Sequence, residues 1–318
     1  MFKDHALLTA HWILIIPFLF QVHNRGYSEK LVHCMMVGVI FTGILGLVYL
    51  AGFTEYLGAW AKTSRYAPTS SGVIMSGNLC SLFFTLSLLL YMKKRQKFYI
   101  AVCIFSLIAT IVSGTKTAII VLALSVAFLF YDQKWFKDKR LIFVLVMILP
   151  FLFFGKGKEL TQRFSQDFSS LANKNLLDDS KPLSSLTYRF YTCDVAWKIF
   201  KENPIFGTGL GDFFIEKEKY INRGELRDDF RHTLDAHNEY LEALATLGIL
   251  GFVLLLSIYG SAITNRPNIY VVLIVCSYLV FGLTTPVLKN KWGLLTFMFL
   301  LNHFGVNPSK KEFDLDQV

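Results

Sequence analysis

The chain has 318 residues, of which 53% are hydrophobic and only 17% charged, with 30 phenylalanines and a formal net charge of +9. A soluble globular domain carries about a quarter of its residues as charges, so this composition excludes that class. The excess of lysine and arginine stands in short breaks between apolar runs, where membrane topology accounts for it, so no nucleic-acid partner is expected.

Apolar runs recur at about 6–22, 31–53, 72–92, 98–113, 117–131, 141–155, 241–259, 269–285 and 291–305. A helix needs roughly 20 residues to cross about 30 Å of hydrocarbon, and several of these runs reach that length only with their flanks. None alternates apolar and polar positions as a barrel strand does. The expectation is an all-α fold: a polytopic transmembrane helix bundle of about nine spans, surrounded by membrane lipids, with one large loop subdomain. In chain order that gives about six N-terminal helices in 1–155, a loop with short helices in 156–240, about three C-terminal helices in 241–305, and a tail in 306–318. No small-residue cleavage site follows Phe20, so the first run reads as a helix and not as a signal peptide.

The densest basic clusters are Lys93-Lys94-Arg95-Gln96-Lys97 and the stretch from Lys134 to Arg140, two spans apart. Placing both in the cytoplasm puts the tail inside and the long 156–240 segment outside. An odd number of spans then places the N-terminus outside as well. Cys34, Cys80, Cys103 and Cys276 fall inside apolar runs, leaving Cys193 alone on the outer segment and no disulfide there. His232 and His237 stand five apart with no accompanying cysteine pair, which is not a metal-ligand spacing, and no cofactor is expected. The spans themselves hold few polar groups (His11, His33, Asn78, Glu242 and His303), so the chemistry is expected at the outer surface.

On the outer segment, Asp178-Asp179-Ser180-Lys181-Pro182 breaks the chain, and a helix is predicted from about Leu186 to Lys201. Ser184 and Ser185 can cap its start, and Asn203-Pro204 closes it. The run Gly207-Thr208-Gly209-Leu210-Gly211 follows. It reads either as backbone N–H groups offered to an anion or as a plain turn returning the chain to the membrane. It does not read as a dinucleotide fingerprint, because no strand leads into it. Next comes His237 at the mouth of a span, with Leu241, Leu244, Gly248 and Gly251 on the same helical face by spacing. An imidazole fixed there suits a general base, and the alternative is a histidine that only caps the helix end.

The pattern Arg189-x7-Trp197-x6-Pro204-x2-Gly207-x-Gly209-x-Gly211, then His237-Asn238-x2-Leu241 and Gly248-x2-Gly251, resembles the bacterial O-antigen ligase and O-antigen polymerase superfamily. The resemblance extends more loosely to Arg65 and to Ser113-Gly114-Thr115-Lys116-Thr117, where family members often carry Ser-Arg. Lys116 keeps the charge of that arginine and loses its fork. Ligases of the family have about twelve helices with the large periplasmic loop ahead of the last three, so about three N-terminal helices are expected to be missing here.

The resemblance implies an inverting, metal-independent glycosyltransferase of the bacterial inner membrane with its site facing the periplasm. The donor would be a glycan on undecaprenyl pyrophosphate and the acceptor a sugar hydroxyl of lipid A-core, for lipopolysaccharide biosynthesis. His237 would take the proton of the attacking hydroxyl. Arg189, with Lys116 and Arg65, would hold pyrophosphate oxygens, and Asn238, Gly207 and Gly209 would support the site. No Asp-x-Asp pair stands on the outer segment to hold a metal. An O-antigen polymerase or a protein O-oligosaccharyltransferase would use the same donor and base. A transporter of lipid-linked glycan is the reading from another class, and the nearly uncharged spans speak against it.

Overall fold

The computed structural model describes residues 28–53, 73–131, 185–265 and 268–306. Among them every regular element is helical: α1 Ser28–Leu50, α2 Val73–Lys94, α3 Lys97–Ser113, α4 Lys116–Tyr131, α5 Ser185–Glu202, α6 Phe213–Asn222, a 3₁₀ turn Asp228–His232, α7 Glu239–Asn265, α8 Ile269–Gly282 and α9 Lys291–Val306. Three of these, α1, α2 and α7, are long and apolar enough to cross a membrane, and α3, α8 and parts of α4 and α9 are shorter apolar helices. Seven of the nine expected spans thus coincide with helices. The runs at 6–22 and 141–155 lie outside the described residues, as do 156–182 and the tail.

The described helices fall into two compact units. The first holds α1 to α4, most of α8, and α9. At its centre lies α2, buried along most of its length. The reason is visible in its composition: serines, threonine, glycine and Asn78 are interspersed among the leucines, and several of them bond across to neighbouring helices. Thr117 Oγ1 donates to Asn78 Oδ1 at 3.0 Å, Thr85 and Ser125 hydroxyls share a hydrogen bond, and Cys103 Sγ points at the Phe84 carbonyl. Small polar groups of this kind let helices approach and bond where water is absent. A Cβ on Gly43 of α1 would overlap Phe105 of α3, and one on Gly77 would overlap Ser113 and Thr115. At the end where α2 hands over to α3, Lys94 pairs with Glu29 at 3.0 Å, while His33 bonds the Glu29 carbonyl at 2.8 Å. Lys116 opens α4, across α3 from that basic end.

The second unit holds α5, α6, the 3₁₀ turn, α7 as far as Ser261, and Phe281–Lys289. Its core joins Val195, Ala196 and Ile199 of α5 to Phe213, Tyr220 and Ile221 of α6, Phe230 of the 3₁₀ turn, Ala236 ahead of α7 and Ala245 within it. The predicted 186–201 helix is therefore present, one residue longer at each end, and Asn203-Pro204 stops it as expected. The 3.6-residue spacing of Thr192, Val195, Ala196 and Ile199 is what turns one face of α5 inward.

The structure changes the reading of α7 in two places. The helix begins at Glu239, so His237 lies before it rather than on its face, and Gly248 interrupts it with φ 66° and ψ −165°. That backbone state is open to glycine and costly for other residues. The face drawn through His237, Leu241, Leu244, Gly248 and Gly251 is consequently not continuous.

Candidate functional site

The break in α7 is filled by the glycine-rich run. Pro204 and Ile205 carbonyls accept the N–H groups of Ile249 and Leu250, at 2.9 and 3.4 Å. In the other direction, Thr208 and Gly209 donate to the Ala245 and Thr246 carbonyls, at 3.1 and 2.8 Å. The turn thus supplies hydrogen bonds that the interrupted helix cannot make for itself. A Cβ at Gly207 would overlap the backbone of Thr246 and Leu247, and one at Gly248 would overlap Ile205 and Gly207. Both glycines are present for close backbone approach. The N–H groups of Gly207, Thr208 and Gly209 already have backbone acceptors, so these three are engaged in the turn and not offered to an anion. The turn thereby fixes the N-terminal half of α7.

His237 sits one turn of chain above that fixed helix. Its φ of 52° is left-handed, a region histidine visits more often than bulky or branched residues do. Asp235 holds the conformation: its Oδ1 accepts the His237 backbone N–H at 2.9 Å and lies 3.3 Å from the ring Nδ1. Ala236, between them, is locked on both sides. Its N–H donates to Glu242 Oε2 at 2.6 Å, and its carbonyl accepts Thr192 Oγ1 at 3.1 Å from α5. Asn238 then caps α7, with Oδ1 accepting the N–H groups of Tyr240 and Leu241, both at 3.0 Å, and Nδ2 donating to the Leu283 carbonyl. The capping work therefore belongs to Asn238, which leaves the imidazole of His237 for another task.

The approach to this turn is equally fixed. Tyr188 of α5 stacks on Phe230 at 4.5 Å between centroids, bonds the Thr233 hydroxyl, and presents its ring 5.7 Å from that of His237. Lys217 of α6 is fully buried, and its ammonium donates to the carbonyls of Phe230, Arg231 and Thr233 at 2.6, 3.2 and 2.5 Å. Three carbonyls are the full complement for an ammonium's three protons. Behind His237, Glu242 Oε1 accepts Lys289 Nζ at 2.6 Å. Glu239 accepts the Leu288 N–H at 2.7 Å and the Tyr259 hydroxyl at 3.0 Å. Two buried carboxylates on the first turn of α7 thereby tie both the His237 turn and the 281–289 segment to one helix.

Electrostatically, burial holds the His237 imidazole below its ordinary value; Asp235 works against that effect, and the positive charge of Arg189 adds to it. The ring is therefore neutral near pH 7. Arg189 lies on α5 immediately after Tyr188, near enough for its charge to bear on both His237 and Cys193. With Nδ1 turned to the Asp235 carboxylate, the tautomer this contact favours carries its proton on Nδ1 and leaves Nε2 as the basic nitrogen. Such an arrangement can accept a proton from a hydroxyl and stabilise the resulting imidazolium.

Of the residues singled out from sequence, Arg189, Gly207, Gly209, His237 and Asn238 lie in this unit. Lys116 belongs to the first unit, where it opens α4, and Arg65 lies outside the described residues. Sequence reasoning missed Asp235, Tyr188, Thr192, Lys217 and Lys289. Asp235 carried a signal, since a short carboxylate two residues ahead reaches the backbone N–H at i+2. Lys217 carried none, since an isolated lysine in a polar helix reads as solvated. Among the described residues no group of three or more histidine, cysteine or acidic side chains could hold a metal.

Residues 101–256 match the family model described as O-antigen ligase. That segment runs from α3 through the His237 turn into α7. A Haemophilus influenzae protein described as uncharacterized is 24% identical over 258 residues, which cover 77% of this chain and 62% of that protein. The chain thus spans somewhat under two thirds of the length of that relative.

Proposed function

We propose that this chain, whose residues 101–256 belong to the O-antigen ligase family, is a membrane glycosyltransferase that moves a glycan from undecaprenyl pyrophosphate onto a sugar hydroxyl of lipid A-core. The observation that carries this reading is the His237 turn. A neutral imidazole is backed at Nδ1 by Asp235 and feels the positive charge of Arg189, on backbone bonded at Ala236 and His237 and followed by the Asn238 cap.

In the proposed step the acceptor hydroxyl loses its proton to His237 Nε2 as its oxygen attacks the anomeric carbon of the donor. The bond from that carbon to the pyrophosphate oxygen breaks, its electron pair leaving with the polyprenyl pyrophosphate, and the configuration inverts. Arg189 offers a planar pair of donors to the phosphate oxygens as charge develops there. Asp235 steadies the imidazolium until it releases its proton to water. Lys116 and Arg65 are the further cations proposed for the pyrophosphate. The site is proposed to face the periplasm from the inner membrane, which follows from placing the 93–97 cluster in the cytoplasm.

The test is complementation of a ligase-deficient strain, with membrane abundance checked by blotting. His237→Ala is expected to abolish capping of the core, a loss on the order of 10²–10⁴ in rate for a missing general base. Arg189→Lys is expected to fail as well, because one ammonium cannot reproduce the fork. Normal capping by His237→Ala at normal abundance would overturn the assignment. The banding pattern of a deletion strain separates the neighbouring activities: uncapped core with accumulating lipid-linked polymer marks a ligase, and core bearing one repeat marks a polymerase.

A further inference from the structure

The turn that plugs the α7 break carries a second feature that the site does not use. Its side chains point away from the protein: Phe206 is 75% exposed, Leu210 74% and Ile205 56%. They flank backbone bonded to residues 245–250 of α7, and the α7 side chains just beyond, Ile249, Leu250, Val253 and Leu254, are also exposed and apolar. Exposed apolar surface is therefore continuous from a candidate membrane span onto the turn. No charged residue stands between Pro204 and Gly211. Exposed contiguous apolar patches of this kind mark contact surfaces rather than solvated ones.

The depth of the turn follows from α7 itself. From Gly248 to the polar end of the helix at Asn265, the rise is ~26 Å at about 1.5 Å per residue. The hydrocarbon layer is about 30 Å thick. With Asn265 at one boundary, the break lies just beneath the other, and any tilt carries it deeper. Non-helical backbone is tolerated at that depth only where its polar groups are satisfied by protein. Here the N–H groups of Gly207, Thr208 and Gly209 and the carbonyls of Pro204 and Ile205 all have partners. About two turns earlier, in the last third of α5, Trp197 is exposed with Lys201 5.7 Å above its ring. A tryptophan with a cation over it is the side-chain pair found at a membrane–water boundary.

We propose that residues 205–210 form a re-entrant wedge seated in the hydrocarbon of the bilayer, with Ile205, Phe206 and Leu210 against acyl chains and Trp197 at the headgroup level. The 156–240 segment is then not wholly aqueous: its glycine-rich turn dips into the membrane and is held there by the α7 break. The wedge does not depend on the reaction proposed above, since a transporter or a polymerase with this backbone would seat it in the same way.

The full-length, unmodified chain in proteoliposomes tests this by two footprints read peptide by peptide in a mass spectrometer. A bilayer-confined diazirine, photolysed to a carbene, is expected to label residues 205–210 at the per-residue yield found for Val253 and Leu254, and to spare Arg223 to Asp229. Water-borne hydroxyl radicals are expected to give the opposite pattern, with Phe206 protected although aromatic rings react readily. Oxidation of Phe206 at the level of a solvated aromatic would overturn the wedge. Protection from both reagents would overturn it too, because protein and not lipid would then cover the turn. The His237→Ala chain is expected to give the same footprint, so that failure of the catalytic reading leaves this result intact.

Discussion

Asp235→Asn isolates the charge behind the proposed base. Asparagine keeps the side-chain oxygen that accepts the His237 backbone N–H at 2.9 Å, so the left-handed turn survives. What is lost is the negative charge 3.3 Å from Nδ1. At that separation, with an effective dielectric near 20, the gross attraction for a protonated ring is about 5 kcal/mol. Both side chains are about a quarter exposed, so hydration removes most of it, and a charge-assisted bond nets roughly 2 kcal/mol. That predicts a fall of about 10- to 30-fold in the rate of transfer, by the usual conversion of barrier height to rate. The pH profile adds a sign. Asp235 raises the His237 value against burial and Arg189, so its removal moves the acidic limb of the profile to lower pH while the plateau drops. The assay is transfer from lipid-linked donor to purified core acceptor in proteoliposomes, as a function of pH. A variant with the wild-type plateau and the wild-type acidic limb would refute the dyad and leave Asp235 as a turn residue only.

Gly248→Ala places a side chain at φ 66° against the backbone of Ile205 and Gly207, and it should lower the stability of the detergent-solubilised protein by about 2 kcal/mol or more, read as a shift in thermal unfolding. Glu242→Gln sets an amide donor against Lys289 and should cost about 1–3 kcal/mol, part of which Lys289→Met in the same chain should restore; additivity in that double-mutant cycle would refute the pairing. Lys217→Met strips the carbonyls of Phe230, Arg231 and Thr233 of their donor and should speed amide exchange across 228–237 while leaving the first unit unchanged. Uniform loss of protection throughout the chain would show that Lys217 matters only for folding.

The long apolar runs were legible because hydrocarbon imposes one requirement on every residue of a span. The bounds of α5 were legible from its breakers, but its inward face was not, since the large apolar side chains of Phe190 and Trp197 stand exposed while Thr192, Val195, Ala196 and Ile199 are buried. Gly207 and Gly209 were also found, but their purpose was open, since a glycine advertises backbone freedom without saying what approaches it. Only the fold shows that the group approaching Gly207 is the broken turn of α7, while a Cβ at Gly209 would meet the Asp212 carboxylate. The break itself was hidden by the apolar sequence around Gly248, which reads as uninterrupted helix, and its missing hydrogen bonds are supplied by the distant turn from Pro204 to Gly209. Asp235 and Glu242 were invisible as a set because Ala236 connects them through its backbone, and backbone bonds leave no mark in the identity of a residue.

Held this way, the His237 turn has little freedom left. A left-handed histidine costs free energy unless its surroundings determine it, and four contacts do so here: Asp235 from within the turn, Thr192 from α5, Glu242 from α7, and Asn238 at the helix cap. Three of the four bond backbone on either side of the imidazole, so they fix position without consuming the basic nitrogen. Glu242 has a further consequence. Its second oxygen holds Lys289, while Glu239, one turn back on the same helix, holds Leu288, so any shift of the 281–289 segment pulls on the residues that position His237. Precision at a reacting centre depends on such supporting shells, since a displacement of about 1 Å can cost on the order of a hundredfold in rate. Lys289→Ala, remote from the imidazole, is accordingly expected to lower kcat for transfer with little change in the KM for donor. Proportional changes in both would instead place Lys289 in contact with the substrate.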